Sequence, residues 1–243
     1  MEGVLAGRVA VVTGAGRGIG RAIALGYGQA GASVVCAART TGEVEAVAAA
    51  IVTAGGRALA VTADVTVPAE VETLFARAVE AFGPLDMVVL NAGGNFERHA
   101  VADSDPDEWE RTLRLNLIAP YLCARAAIPH LKRPGGKVIT LGSGLGHRGQ
   151  AGGSAYACSK AGLWMLTRVL AQELASEGIS VNELIPGPVE TTIDDGTVPS
   201  VVAGLSGEWH KQPEDVVPLA VFLASQPAIG PTAQSFSLMR RDT

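Results

Sequence analysis

Short apolar segments alternate with longer helical segments along nearly the whole of this chain. The apolar segments have the length of β-strands and are rich in Val, Ile, Leu and Ala; they cover residues 8–13, 33–38, 58–62, 86–90, 137–141 and 180–184. The segments between them have the length of helices and cover residues 18–29, 43–54, 69–82, 107–131 and 155–177. Continuous apolar strands separated by helices indicate a parallel sheet covered on both faces. We therefore predict that residues 1–243 form a single α/β domain, a Rossmann-like, doubly wound parallel sheet with helices on both faces.

Residues 190–209 depart from this alternation. They are rich in Gly, Asp, Thr and Ser and show no periodic apolar pattern. Because a long irregular segment in a compact domain is typically a functional lid or a disordered loop, we predict a mobile substrate loop over 190–209. A last helix is expected after Pro213, since Pro-Glu-Asp suits a helix start, and a last strand is expected near residues 233–238.

Charge and hydropathy argue against two classes of partner. The chain carries a net charge of −5, and no run of Lys and Arg exceeds two residues. Nothing therefore favours binding to nucleic acid. No segment reaches the ~18 uninterrupted apolar residues of a membrane span, so we expect no membrane partner.

The cysteines and the N-terminus bear on the compartment. The three cysteines are scattered without C-x-x-C spacing, which favours a reducing compartment over a disulfide framework or a zinc site. The first apolar stretch runs directly into a glycine-rich turn, so we interpret it as a strand and not as a signal peptide. We expect a cytoplasmic protein without a metal site.

A glycine-rich turn lies between the first predicted strand and the first predicted helix. Its glycines Gly14, Gly18 and Gly20 have G-x-x-x-G-x-G spacing, and no G-x-x-x-x-G-K-[ST] sequence of a P-loop occurs. Glycine permits close backbone approach to a phosphate, and a helix N-terminus offers free N–H groups, although glycine clusters also mark plain turns. We assign seven residues of the turn to cofactor binding: Thr13, Gly14, Gly16, Arg17, Gly18, Ile19 and Gly20.

The end of the second predicted strand bears on which dinucleotide binds. Sites for NAD usually carry an Asp or Glu there, to bind the ribose hydroxyls, whereas this chain has Ala38 and Arg39. An arginine could neutralise a 2′-phosphate in fork geometry, and Arg17 could reach the same group. We infer NADP(H) over NAD(H); the alternative is that Arg39 is simply solvated.

Tyr156 and Lys160 are four residues apart in a predicted helix. This spacing places them one turn apart on the same face. A free phenol has a pKa near ~10, and an ammonium at about 4 Å can lower it towards neutral pH. Such a phenol can donate a proton to a carbonyl oxygen or accept one from an alcohol. By itself the pattern is also that of an ordinary surface pair.

Taken in order, the glycine-rich turn, Asn91-Ala92-Gly93, Ser143 and Tyr156-x-x-x-Lys160 resemble the short-chain dehydrogenase/reductase family, and the resemblance covers residues 3–223. It implies that Tyr156 is the catalytic acid/base. It further implies that Lys160 lowers the pKa of Tyr156 and binds the nicotinamide ribose, that Ser143 orients the substrate oxygen, and that Asn116 anchors a water of the proton relay.

The resemblance also implies a set of cofactor-binding residues beyond the turn. Asp64 and Val65 would lie near the adenine, Asn91 to Gly93 would face the cofactor, and the segment after the sixth strand would hold the carboxamide. With Ala38, Arg39, Tyr156 and Lys160, the additional residues are Asp64, Val65, Asn91, Ala92, Gly93, Pro186, Gly187, Val189 and Thr191.

The implied activity is reversible hydride transfer between a nicotinamide and a carbonyl or secondary alcohol. A small to medium ketone, a keto acid or a 3-oxoacyl thioester is the expected substrate, as in 3-oxoacyl-[acyl-carrier-protein] reductases of the family. Arg148 could bind a substrate carboxylate, or it could belong to a solvated loop.

Three alternatives to this activity remain. A sugar or polyol dehydrogenase would be a variant within the same family, and a nucleotide-sensing protein without turnover would belong to another class. A methyltransferase is disfavoured because an adenosyl cofactor normally requires an acid at the position of Ala38 and Arg39.

Family members often form dimers or tetramers through their two long central helices, here 107–131 and 155–177. We therefore expect a homo-oligomer, either a tetramer or a dimer. The last residues are Gln234-Ser235-Phe236-Ser237-Leu238-Met239-Arg240-Arg241-Asp242-Thr243, where many members have a Val-Asp-Gly-Gly-like close, and this puts the C-terminal subunit contacts in doubt.

Overall fold

A computed structural model describes residues 3–191 and 209–239. It contains one seven-stranded sheet in the order β3-β2-β1-β4-β5-β6-β7, and all neighbouring strands are parallel. The predicted fold class is therefore confirmed. The strands are β1 (Val9–Thr13), β2 (Ser33–Ala38), β3 (Arg57–Thr62), β4 (Met87–Leu90), β5 (Lys137–Leu141), β6 (Ser180–Ile185) and β7 (Ser235–Ser237).

Helices cover both faces of the sheet. The α-helices are α1 (Gly18–Gln29), α2 (Thr41–Thr53), α3 (Pro68–Phe82), α4 (Pro106–Leu113), α5 (Ala119–Ala127), α6 (Leu145–Arg148), α7 (Ser154–Glu173) and α8 (Val217–Ser225). Short 3-10 turns lie at Val101–Asp103, Ile128–His130, Ala175–Glu177 and Pro213–Val216. The expected last helix and last strand are thus present as α8 and β7. Within the described residues, no helix is long and apolar enough to cross a membrane.

The helix predicted over 107–131 is not continuous. Between α4 and α5 the chain forms a π-helical turn, Arg114–Ile118, which inserts an extra residue into the helical hydrogen-bonding pattern. Asn116 lies in this turn, and its side chain hydrogen-bonds the backbone of Gly94. The helix predicted over 155–177 also ends early, at Glu173, and a 3-10 turn leads to Gly178, whose φ of 67° is left-handed.

The five inner strands are buried on both faces because successive side chains enter two different cores. In β1, Val9 and Val11 pack with α3, α5 and α7. Ala10 and Val12 of the same strand pack with α1, α2 and α8 on the opposite face. This explains why the strands are continuously apolar, as expected for a parallel sheet between two helical layers.

The strand order places the site. The chain runs outward from β1 to β3 and then returns to β4 on the other side of β1, so the crossover direction changes between β1 and β4. Ligands of open α/β sheets bind at the carboxyl ends of the strands next to such a change. Most of the predicted substrate loop, residues 192–208, lies outside the described residues.

Candidate active site

A cleft of about 1170 Å³ lies at the carboxyl ends of the strands. Of the residues predicted for cofactor binding and catalysis, all except Thr13 and Asn116 line it. Thr13 is 2% exposed and Asn116 is fully buried. These two residues therefore act from behind the surface of the cleft, through the backbone that they hold in place.

At several positions of the glycine-rich turn, the structure has no space for a side chain. Gly14 and Gly18 have φ angles of 66° and 54°, a region that favours glycine. A Cβ atom on Gly20 would lie 2.1 Å from the carbonyl oxygen of Gly14, so α1 can approach the end of β1 only because glycine occupies this position. Arg17 is the N-cap of α1 and its side chain makes no capping hydrogen bond to the helix. This cradle at a helix N-terminus fits the phosphates of a dinucleotide.

Hydrogen bonds join this turn to the end of β4. The Asn91 side chain donates from Nδ2 to the carbonyl oxygens of Thr13 at 2.9 Å and Gly14 at 3.2 Å. The Thr13 hydroxyl accepts from the backbone N–H groups of Asn91 at 3.0 Å and Ala92 at 3.2 Å. Thr13 and Asn91 therefore hold the two strand ends that border the cleft in one register.

Charged side chains surround the part of the cleft beside β2. Arg17 and Arg39 both line it. The Glu43 carboxylate lies against the turn, since a Cβ atom on Gly16 would be 2.5 Å from its Oε2. Asp64 accepts hydrogen bonds from the N–H of Thr66 at 2.9 Å and from its hydroxyl at 2.7 Å. The Asp64 carboxylate thus shapes the turn after β3.

Lys160 is the buried cation of the site. It projects from α7, is 5% exposed, and donates from Nζ to the carbonyl oxygen of Leu141 at the end of β5 at 2.7 Å. Burial disfavours the ammonium and lowers the pKa of Lys160 to about 8, while the charge of Glu183 opposes this decrease. Lys160 therefore gains or loses its charge at a pH of about 8.

Tyr156 lies one turn before Lys160 on α7 and is half-buried. The Lys160 ammonium is 5.7 Å from the centre of the Tyr156 ring, and both residues line the cleft. Ser143 also lines the cleft, two residues beyond β5, and its hydroxyl accepts a hydrogen bond from the N–H of Leu145 at 3.2 Å. The hydroxyls of Tyr156 and Ser143 and the ammonium of Lys160 thus belong to one site.

Asn116 is placed behind this site by the π-helical turn. Its Oδ1 accepts from the N–H of Gly94 at 2.9 Å, and its Nδ2 donates to the carbonyl oxygen of Gly94 at 2.7 Å and to the hydroxyl of Ser159 at 3.1 Å. These bonds hold the chain after β4 against the π-helical turn. Gly93 lies between Asn116 and Lys160, because a Cβ atom on Gly93 would be 3.1 Å from Oδ1 and 3.7 Å from Nζ.

The opposite wall comes from the chain after β6 and from the C-terminal segment. Thr191 lies against the glycine-rich turn, since a Cβ atom on Gly18 would be 3.2 Å from its methyl group. Met239 lines the cleft and packs on both Gly187 and Gly144. The unusual C-terminal sequence therefore contributes a flexible apolar side chain to the cleft.

Three residues of this region escaped the sequence analysis. Ser159 is fully buried and hydrogen-bonds the Tyr156 carbonyl oxygen at 2.7 Å; its position inside the Tyr156-to-Lys160 segment was the available signal. Glu183 is fully buried on β6, where an acid interrupts an apolar strand. Met239 gave no signal, since only the fold brings it to the cleft.

The family and its members agree with this arrangement. The family described as short chain dehydrogenase matches residues 8–200. The cis-4-hydroxycyclohexanecarboxylate dehydrogenase of Sinomonas cyclohexanicum is 38% identical, with 94% of this chain and 93% of the relative covered. The 3-oxoacyl-[acyl-carrier-protein] reductase of Synechocystis sp. is 34% identical, with 96% of each chain covered. The structure of a short chain dehydrogenase from Burkholderia cenocepacia in complex with NADP aligns with a TM-score of 0.87 at 34% identity over 96% of each chain.

The sheet, the glycine cradle and these relatives together define an oxidoreductase fold with a site for a nicotinamide cofactor. The chain belongs to the short-chain dehydrogenase/reductase family. The resemblance inferred from the motifs is thus confirmed.

We predict that Gly20→Ala raises the Kd for NADP+ by at least ~100-fold, about 2.7 kcal/mol. The added methyl group would overlap the Gly14 carbonyl and push α1 away from the phosphate cradle. Fluorescence titration with NADP+ measures the effect, and circular dichroism checks that the variant is folded.

Gly42→Ala is the matched control, because Gly42 lies in α2 and a Cβ atom there would meet no atom within 4 Å. This variant should bind NADP+ as the parent does. Equal affinity of the Gly20 variant and the parent would show that the cradle does not hold the phosphates.

Proposed function

We propose that this protein is an NADP(H)-dependent oxidoreductase that interconverts a carbonyl and a secondary alcohol, with residues 1–243 acting as one cofactor-binding and catalytic domain. The observation that carries the proposal is the placement of Lys160. Its buried ammonium is held by the end of β5, beside Tyr156, in the same cleft as the glycine cradle. A protein that only binds a nucleotide would not require a buried cation next to a phenol.

The proton chemistry is assigned to Tyr156. In the reducing direction its hydroxyl donates a proton to the substrate oxygen, and in the oxidising direction the phenolate accepts one. The Lys160 ammonium stabilises the phenolate by charge. Because the pKa of Lys160 is lowered to about 8, this support is present at neutral pH and is lost as the pH rises above that value.

Ser143 and Asn116 complete the catalytic set. The Ser143 hydroxyl donates a hydrogen bond to the substrate oxygen, where negative charge develops during reduction. Asn116 anchors the water of the proton relay while its side chain holds Gly94 in place. A bound nicotinamide cofactor supplies or accepts the hydride.

The preference for NADP(H) rests on charge. Arg39 follows β2 without an acidic neighbour at Ala38, and Arg17 lines the same part of the cleft. Two guanidinium groups favour a 2′-phosphate, whereas a carboxylate at the strand end would favour the ribose hydroxyls of NAD. The NADP complex of the Burkholderia cenocepacia relative supports the same preference.

The arginines of the cleft favour an acidic substrate. Arg98, Arg111 and Arg148 line it in addition to Arg17 and Arg39, although Arg111 is paired with Glu108 at 3.1 Å and stacks on the ring of Phe96. A keto acid is therefore favoured over a neutral sugar or polyol, and so is a 3-oxoacyl thioester through the phosphate of its carrier group. The names of two relatives, a hydroxycyclohexanecarboxylate dehydrogenase and a 3-oxoacyl reductase, point to the same classes.

We also propose a homo-oligomer, a tetramer or a dimer, built on α5 and α7. Helix α7 packs closely on the π-helical turn that precedes α5, since a Cβ atom on Gly162 would be 2.8 Å from Leu117. Four large apolar side chains are exposed beside this contact: Ile118, Tyr121, Met165 and Val169. A group of exposed apolar side chains on neighbouring elements favours a protein interface.

We predict that Tyr156→Phe lowers kcat by about 10²- to 10⁴-fold, the usual contribution of a general acid or base. The Kd for NADP+ should stay within ~2-fold of the parent value, because the ring and Lys160 remain in place. A panel of ketones, keto acids, 3-oxoacyl thioesters, sugars and polyols with NADPH or NADP+, followed by the absorbance of the reduced nicotinamide, provides the measurement.

Tyr121→Phe is the control: it removes a tyrosine hydroxyl outside the cleft and keeps the ring that the proposed interface uses, so kcat should be unchanged. Undiminished turnover in the Tyr156 variant contradicts the assigned role. A parent protein that binds NADP+ but turns over no member of the panel favours the nucleotide-sensing alternative.

We predict that Arg39→Gln raises KM for NADPH by about 10- to 100-fold, because a charge-assisted hydrogen bond of ~1.5–3 kcal/mol is lost. KM for NADH should not change, since NADH lacks the phosphate. Arg77→Gln, on the exposed side of α3, is the control and should leave both constants unchanged. A parent protein that prefers NADH would refute the assignment.

We predict that the parent protein has the mass of two or four chains by light scattering, and that Met165→Glu yields smaller species, because an unpaired charge is costly in an apolar interface. Val101→Glu places the same charge on an exposed 3-10 turn that belongs to neither α5 nor α7 and should not change the mass. A monomeric parent, or a Met165 variant of unchanged mass, would disprove this interface.

A further inference from the structure

Glu183 is a fully buried acid in the middle of the sheet, and the assigned chemistry does not use it. It lies on β6, paired in register with Thr140 of β5, and its side chain is 0% exposed. Glu183 and Val181 are two residues apart on β6, so their side chains lie on the same face of the sheet. Val181 packs under α7, and Glu183 therefore lies on the α7 face as well. Burying an ionised carboxylate is costly unless opposite charge or hydrogen bonds compensate. The groups that surround Glu183 therefore indicate its role.

One oxygen of the carboxylate is held by two elements. Oε2 accepts a hydrogen bond from the Ser235 hydroxyl of β7 at 2.5 Å and lies 3.0 Å from Nε2 of His147 on α6. The His147 ring in turn packs on Trp164 of α7, with ring centres 5.1 Å apart. The carboxylate is therefore fixed in position from both sides.

The other oxygen is directed at the catalytic end of β5. Among the residues that the structure describes, no donor lies within hydrogen-bond distance of Oε1. A Cβ atom on Gly142 would be only 1.8 Å from Oε1, so the carboxylate lies directly on the backbone of Gly142. That residue separates Leu141, whose carbonyl binds Lys160, from Ser143.

The groups that surround Lys160 leave Glu183 as its negative counterpart among the described residues. Tyr156 lies on the same helix as Lys160. The chain after β4 contributes Gly93 and the π-helical turn contributes Asn116, and both residues are uncharged. From β5 the Leu141 carbonyl binds Lys160, and α6 packs on Lys160 through the uncharged Gly146. The Glu183 charge acts on Lys160 from β6 and favours its ammonium form, against the burial that lowers the pKa, while His147 lies beyond Glu183.

We propose that Glu183 is a positioning residue of the active site: its buried carboxylate, held by His147 and Ser235, fixes the Leu141-to-Ser143 segment against α7 and places a negative charge behind the carbonyl that binds Lys160. The inference rests on the proposed function for its catalytic meaning. The effect of the Glu183 charge on the protonation of Lys160, however, is a property of the free protein and can be tested without turnover.

The test measures the protonation of Lys160 directly. The chain has only four lysines, Lys132, Lys137, Lys160 and Lys211, so ε-¹³C-lysine labelling gives four signals, and Lys160→Arg identifies one of them. We expect Lys160 to lose its proton about one pH unit lower in Glu183→Gln than in the parent, because the neutral amide removes the charge that favours the ammonium.

Two matched variants keep the charge and alter the surroundings. Thr140→Val removes a buried hydroxyl beside Glu183 on the same face of the sheet, and Glu183→Asp retains a carboxylate. The Lys160 titration should stay within a few tenths of a pH unit in Thr140→Val, and Glu183→Asp should lie closer to the parent than Glu183→Gln does.

The pH dependence of kcat is the second measurement. For carbonyl reduction, the pH above which kcat declines should move down in Glu183→Gln by the same amount as the Lys160 titration, with little change in KM for NADPH. If the parent protein shows no turnover at all, the proposed function fails while the titration still tests the role of Glu183.

An unchanged Lys160 titration in a folded Glu183→Gln protein overturns the proposal. Glu183→Leu, which removes the same charge with a side chain of similar volume, replaces the glutamine variant if that variant does not fold. Loss of folding in both neutral variants, with Glu183→Asp folded, also overturns it, because the carboxylate would then serve only to join β6, β7 and α6.

Discussion

The buried ammonium of Lys160 is the interaction on which the site depends. Removing an amine from water favours its neutral form, and the protein opposes this with a carbonyl at the end of β5 and a carboxylate on β6. The hydrogen bond to Leu141 also ties α7 to the sheet at the height of the cleft. The position of Tyr156 above the cleft follows, because Tyr156 lies one helical turn from Lys160 on the same helix.

A second constraint is the close approach of backbone segments at the junction of β1 and β4. Gly14 and Gly20 allow α1 to begin almost in contact with the strand end, and Asn91 bonds the carbonyl oxygens that this approach brings within reach. The glycine-rich turn and the end of β4 are therefore one hydrogen-bonded unit. A shift in either strand would move the phosphate site relative to Lys160.

Charge is distributed unevenly over the molecule. The chain as a whole has a net charge of −5, yet its cleft is lined by five arginines and Lys160 against three acids, Glu43, Asp64 and Glu108. A cleft of opposite sign to the rest of the protein concentrates anionic ligands. Glu183 lies behind this lining, where it acts on the lysine without facing an anionic ligand.

Local patterns in the sequence determined the order of strands and helices, the glycine cradle, the lack of an acid beside Arg39, and the spacing of Tyr156 and Lys160. Each depends on residues that are near neighbours in the chain, so composition and period suffice to find them. Only the tertiary structure decided the π-helical turn at Asn116, the placement of Met239 in the cleft, and the contacts of Glu183. These depend on packing between distant segments, such as Asn116 with Gly94 and Glu183 with His147, and no local pattern records which distant groups a fold brings together.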